Sequence, residues 1–147
     1  MVLILSKGKK KTCSKSHVLQ VRFFHQNLRP MELSEAQRIF AYNLGRFIIE
    51  AYKDGYEFSM GEVLRTEEQH QLNLKSGKSK IGRSLHMDKL AFDLNLLKTP
   101  TSGYGYITDS SQYKPLGEIW KGLHPLNRWG GDFKTLVDGN HFEMNIR

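Results

Sequence analysis

From Ser34 onward, apolar residues recur at helical spacing. Ala36, Phe40, Phe47, Ile48 and Ala51 fall on one face, and Leu44 fills the stripe. Ser34, with Gln37 three residues on, has the form of a capping box, and the Asp54-Gly55 pair is a stop signal. Tyr56, Phe58 and Met60 then alternate with polar residues, and Val63 and Leu64 follow, which predicts a strand over 56–65. Thr66 with Gln69 repeats the capping signature and opens a short helix towards Leu74. The Gly, Ser and Lys residues of 75–83 predict an exposed loop, and the apolar run over 89–97 a buried strand. A turn is expected over 99–103, a short strand over 104–107, and a helix over 110–122 that Pro115 interrupts or restarts. Residues 129–133 read as a tight turn and 140–146 as a last strand. Helices and strands are mixed without βαβ alternation, so the pattern predicts a single α+β domain.

Charge divides the chain. The formal net charge is +7, and residues 1–30 hold seven Lys and Arg with no Asp or Glu. The remaining 15 basic and 15 acidic residues balance, so the basic pI belongs to the first 30 residues and not to residues 31–147. A folded nucleic-acid binder wants its basic patch on the domain, so no nucleic-acid partner is expected. Residues 1–30 lack a sustained period, and Met31 opens the patterned segment. The expectation is a disordered basic extension over 1–30 and a domain over 31–147. The chain has one cysteine, Cys13, so an internal disulfide and a cysteine nucleophile in the domain are both excluded. No apolar run approaches the roughly 20 residues of a membrane span. The order of the first residues, apolar before basic, is the reverse of a secretory signal. Synthesis in the cytoplasm without an export signal is therefore expected.

Two clusters carry candidate chemistry. In Ser84-Leu85-His86 through Asp93, a histidine precedes a carboxylate that lies within an apolar strand. A carboxylate among core residues is costly unless something compensates it, and a divalent cation does so. A structural Asp paired with an Arg is the plainer alternative. In Asp138-Gly139-Asn140-His141-Phe142-Glu143, a carboxylate stands three residues before a histidine. Such a carboxylate can take a proton from a water activated beside a metal, although Asp-Gly-Asn turns are also common at surfaces. Together the clusters supply two imidazoles and one carboxylate, the usual protein ligand set of a catalytic zinc with one position left open. His70 and His124 have no carboxylate at such spacing and read as surface or packing residues. Asp88 and Asp132 read as turn or cap residues.

The Ser84-x-His86…Asp93 segment, followed by Asp138-x-x-His141-Phe142-Glu143, resembles the zinc D-Ala-D-Ala carboxypeptidase and L-Ala-D-Glu endopeptidase family. That family includes VanX-like and VanY-like enzymes and phage endolysins. The phrase Asn127-Arg128-Trp129-Gly130-Gly131-Asp132-Phe133 is most similar to the endolysins. The resemblance spans about residues 31–147. It implies a hedgehog-type fold, a central antiparallel sheet flanked by helices, in a monomer with one zinc per chain. His86, Asp93 and His141 would be the metal ligands, Asp138 the general base, and Arg65 a substrate-binding group that stabilises the oxyanion. Ser84 would contact substrate or support the first ligand, and Trp129 would wall the cleft. Arg65 could otherwise pair with Glu67 or Glu68 at the surface, Trp129 and Phe133 could be core, and Glu143 could orient a ligand histidine or face outward. Many members have Gly where this chain has Lys89, which leaves that turn open to a different conformation. The base is Glu in the dipeptidase and carboxypeptidase members, and Asp138 is similar to the L-Ala-D-Glu endopeptidases. The implied substrate is the peptide stem of bacterial peptidoglycan, and the implied place of action is the cell wall or periplasm, reached through a separate lysis factor. A non-catalytic wall-binding module that kept the metal site is the reading from another class, and the carboxylate at Asp138 speaks against it.

Overall fold

The computed structural model describes residues 30–79, 82–97 and 105–147. The expected basic extension over 1–30 and the expected turn over 99–103 therefore lie almost wholly outside the described residues.

Helix α1 runs Leu33–Lys53 and buries Ala36, Phe40, Asn43, Phe47 and Ala51. The apolar stripe read from the sequence is present, with Asn43 in the buried line and Leu44 and Ile48 only half-buried. The expected capping box at Ser34 is absent. Glu32 is the N-cap, with its backbone carbonyl accepting from the amides of Glu35 and Ala36. Gln37 is drawn elsewhere, its Nε2 donating to the Asp88 carbonyl at 2.8 Å. Strand β1 is Phe58–Met60, shorter than the expected 56–65. Beyond Met60 the chain stays beside the next strand only through Gly61 N to Asp93 O and Asp93 N to Glu62 O, both 2.8 Å. It then bends, and Arg65 N reaches the His86 carbonyl. Helix α2, Glu67–Lys75, starts as the sequence predicts, with Thr66 Oγ1 accepting from Gln69 N.

Strand β2 is Ala91–Leu96, helix α3 is Lys114–Leu123 with Pro115 in its first turn, β3 is Asn127–Trp129 and β4 is His141–Met144. A 3₁₀ turn over Ser110–Tyr113 leads into α3, so Pro115 opens the second part of that helical stretch. Of the expected strand over 104–107, the described residues 105–107 form one bridge, between Leu97 and Tyr106. The expected tight turn over 129–133 is instead the end of β3 followed by a 3₁₀ turn, Gly130–Asp132. Strand β3 is three residues long, too short to show a period, and it exists because it pairs with β4.

The four strands form one antiparallel sheet in the order β1-β2-β4-β3. Its register sorts the residues by face. Phe92 opposes Phe142, and their rings stack at 5.1 Å on the side covered by α1 and α3. Trp120 meets Phe92 edge-on, Phe47 is tilted against both stacked rings, and all four side chains are fully buried. Each such aromatic contributes roughly 1.5–3 kcal/mol of burial energy. Shifting by one residue along the strands reaches the other face, where Asp93 opposes His141 and Arg128 opposes Glu143. The core pairing thus fixes which polar side chains meet.

Candidate metal centre

His86 stands in a 3₁₀ turn, Leu85–Asp88, just before β2. Ser84 caps that turn, its Oγ accepting from His86 N at 3.3 Å. Lys89 closes the turn in a left-handed conformation, φ 55°. That conformation suits Gly and costs an L residue about 1 kcal/mol, yet this chain holds it with Lys. Asp88 is not a simple turn residue. It is buried and pairs with Arg83 and with Arg147, whose Nη2 lies at 2.5 Å, so both guanidinium groups brace the His86 turn.

Cross-strand pairing brings Asp93 and His141 together with His86. Asp93 Oδ1 lies 3.0 Å from His141 Nδ1 and 3.2 Å from His86 Nε2, and the two ring nitrogens are 3.2 Å apart. A tetrahedral zinc with bonds of about 2.0–2.1 Å sets its ligand atoms roughly 3.3 Å apart. The three residues are grouped tightly enough to hold a metal ion, and the donor set of two imidazoles and a carboxylate fits one. In the metal-free protein, burial raises the Asp93 carboxyl, but hydrogen bonds from His141 and His86 outweigh it and bring the pKa down to about 2. Burial lowers His141, but its bonds to Asp93 and Glu143 outweigh it and raise the pKa to about 9.

Glu143 lies beside this cluster. Its Oε2 is 3.1 Å from His141 Nε2, and its Oε1 accepts from Arg128. Burial raises its carboxyl, and His141 and Arg128 more than reverse that. Of the two alternatives read from the sequence, the structure turns Glu143 towards the His141 imidazole and not outward.

Asp138 sits in the turn before β4, which is tied from several sides. Asp138 N donates to Gly130 O at 3.0 Å, Gly139 N to Ser110 Oγ at 3.1 Å, and Trp129 Nε1 to Gly139 O at 2.8 Å. A Cβ on Gly130 would lie 2.3 Å from the Asp138 carbonyl, so that close approach requires Gly. Burial raises the Asp138 carboxyl above its ordinary range, and the nearby Asp93 adds to that while His141 and His86 oppose it.

These groups line an open cleft of about 380 Å³ that takes in Arg65, Ser84, His86, Asp93, Asp138 and His141. Arg65 is not paired with Glu67 or Glu68. Glu62 accepts from its Nε and Nη2, and this pairing raises the guanidinium pKa further. Trp129 does not wall the cleft. It is buried, packs against Gly117 and Gly131 and anchors the Asp138 turn through its indole N–H. The aromatic that does line the cleft is Phe133, whose ring centroid lies 6.1 Å from that of His141. His70 is a packing residue, fully buried with Nε2 3.1 Å from Gly82 O. His124 Nδ1 accepts from Leu126 N. Sequence reasoning missed Arg128 and Ser110. Each acts through a partner more than ten residues away, and nothing local marks it.

Comparisons with known proteins bear on the same segment. A family model described as D-alanyl-D-alanine carboxypeptidase, of the peptidase M15 group, matches residues 77–144. That stretch holds His86, Asp93, Asp138 and His141 and leaves out Arg65. The L-alanyl-D-glutamate peptidase of Listeria phage A118 is 32% identical over 100 residues, covering 64% of this chain and 32% of that protein. The chain thus spans about a third of the length of that relative. In fold, the chain is similar to the crystal structure of the L-Ala D-Glu endopeptidase ChiX of Serratia marcescens, with a TM-score of 0.60, 24% identity, and coverage of 81% of this chain and 90% of that one. The α+β fold with its antiparallel sheet is therefore the fold the motifs implied.

Proposed function

We propose that this chain is a zinc peptidase that hydrolyses the L-alanyl-D-glutamate bond in the peptide stems of bacterial peptidoglycan. The observation that carries the reading is the convergence of His86 Nε2, Asp93 Oδ1 and His141 Nδ1 in an open cleft that also holds Asp138. His86, Asp93 and His141 would hold one zinc. When bound, zinc polarises the scissile carbonyl and acidifies water. Asp138 accepts the proton of the attacking water and returns it to the leaving amine. Its raised pKa makes it a stronger base than an ordinary Asp, which favours taking up the proton of the water. Arg65, aimed by Glu62, donates to the oxyanion of the tetrahedral intermediate through the N–H groups that Glu62 leaves free. Ser84 braces the His86 turn and lines the cleft beside it.

The bond assignment draws on the two relatives named for L-Ala-D-Glu cleavage and on Asp in place of Glu at position 138. Removal of a terminal D-Ala is the second reading, favoured by the description of the matching family. Mass spectrometry of fragments released from purified peptidoglycan separates them. New N-terminal D-Glu supports endopeptidase action, released D-Ala supports the carboxypeptidase, and intact stems overturn both. Action at the cell wall follows from the substrate, and among the described residues no helix is long and apolar enough to cross a membrane.

A further inference from the structure

The D-glutamate of a peptidoglycan stem is joined onward through its side-chain carboxyl. Its α-carboxylate is therefore free, and it hangs from the same carbon as the scissile nitrogen. In the cleft this anion would lie close to Asp138, and like charges at short range repel unless a cation intervenes. The described Lys and Arg residues that line the cleft are Arg65 and Lys78. Arg65 already spends Nε and Nη2 on Glu62. Lys78 has no ion pair among the described residues. Its backbone is fixed on both sides, by Gly77 N to Leu74 O at 3.1 Å and by Ser79 N to Asn73 O at 3.0 Å. The exposed side chain is thus rooted in a tied turn and lines the cleft wall, and its four-carbon stem is flexible.

We propose that Lys78 reads the free α-carboxylate of the D-glutamate residue and makes the protein selective for stems in which that group is ionised over stems in which it is a carboxamide. This rests on the peptidase reading above and deepens it. A charge-assisted hydrogen bond at a partly exposed site is worth about a 10-fold preference. The test compares kcat/KM on two synthetic peptides, N-acyl-L-Ala-γ-D-Glu-L-Lys and its α-carboxamide, with the full zinc-loaded chain. The wild type should prefer the carboxylate about 10-fold. Lys78→Gln should bring the ratio close to one, and Lys78→Arg should keep most of it. Lys75→Gln, which removes the same charge from the neighbouring helix end outside the cleft, should leave the ratio unchanged. Equal cleavage of both peptides by the wild type, or a preference that survives Lys78→Gln, would overturn the proposal while the peptidase reading stands. Cleavage of neither peptide would overturn the peptidase reading and this proposal with it.

Discussion

Glu143 lies two residues beyond His141 on β4 and holds the imidazole edge opposite Asp93, with Oε2 3.1 Å from Nε2. Residues two apart on a strand share a face, so the strand period itself places the carboxylate where it fixes the His141 tautomer. With Nε2–H given to Glu143, Nδ1 would be left to a metal ion. Glu143→Ala should weaken metal binding about 10–100-fold without removing a ligand. Competition against a chelator of known affinity measures it. Unchanged affinity would mean that the tautomer is set elsewhere.

Asp138 and His86 should fail differently when substituted. Asp138→Asn keeps the proposed ligands and barely changes volume, so metal should stay bound while turnover falls ~10²–10⁴-fold. His86→Ala should lose metal and activity together. Metal content and kcat measured on the same preparations decide the case. Near-normal activity in Asp138→Asn would make another group the base, and metal loss in both variants would make Asp138 a ligand.

The metal-free protein should have a pH dependence of definite sign. His141 is raised from 6.5 to about 9, so its contribution to stability is full below 6.5 and is lost as the pH rises through about 9. Asp93 is lowered from 3.8 to about 2, so its contribution is present above 3.8 and is lost as the pH falls through about 2. Denaturant midpoints of chelator-treated protein should therefore fall from pH 6.5 towards 9. Metal displaces the His141 proton, so zinc titration in weak buffer at pH 7 should release protons. A titration with no proton release would show His141 neutral beforehand.

Gly117 and Gly122 both lie in α3 and make a matched pair. An exposed helical Gly→Ala change stabilises by up to about 1 kcal/mol. Gly122 has open space for a Cβ, so Gly122→Ala should raise the unfolding midpoint. At Gly117 a Cβ would lie 2.4 Å from the Trp129 ring, which is buried and bonded to Gly139. Gly117→Ala should lower the midpoint, and it should disturb the Asp138 turn that Trp129 anchors. Chemical denaturation of the two variants side by side reads the opposite signs.

A chain starting at Met31 should fold and keep its activity. Met31 packs at the edge of the core, and residues 31–147 are balanced in charge by themselves. Loss of cooperative unfolding in that shortened chain would show that residues 1–30 pack on the domain.

The sequence by itself determined the elements whose cause is local. The stripe from Ala36 to Ala51, the Thr66 cap and the Pro115 restart each follow from neighbours within a few residues, and the structure keeps all three. The sequence also singled out His86, Asp93, Asp138 and His141, Asp93 as a carboxylate inside an apolar run and the others by their spacing together with the family resemblance. Tertiary structure decided the rest. Gln37 leaves the helix start because a buried turn offers the Asp88 carbonyl. Arg128 meets Glu143, and Trp129 leaves the cleft for the core, because β3 pairs with β4 in one register and not the next. Asp93 meets His141 for the same reason: the Phe92–Phe142 stack fixes that register from the other face of the sheet, across 49 intervening residues of chain, and no local pattern encodes it.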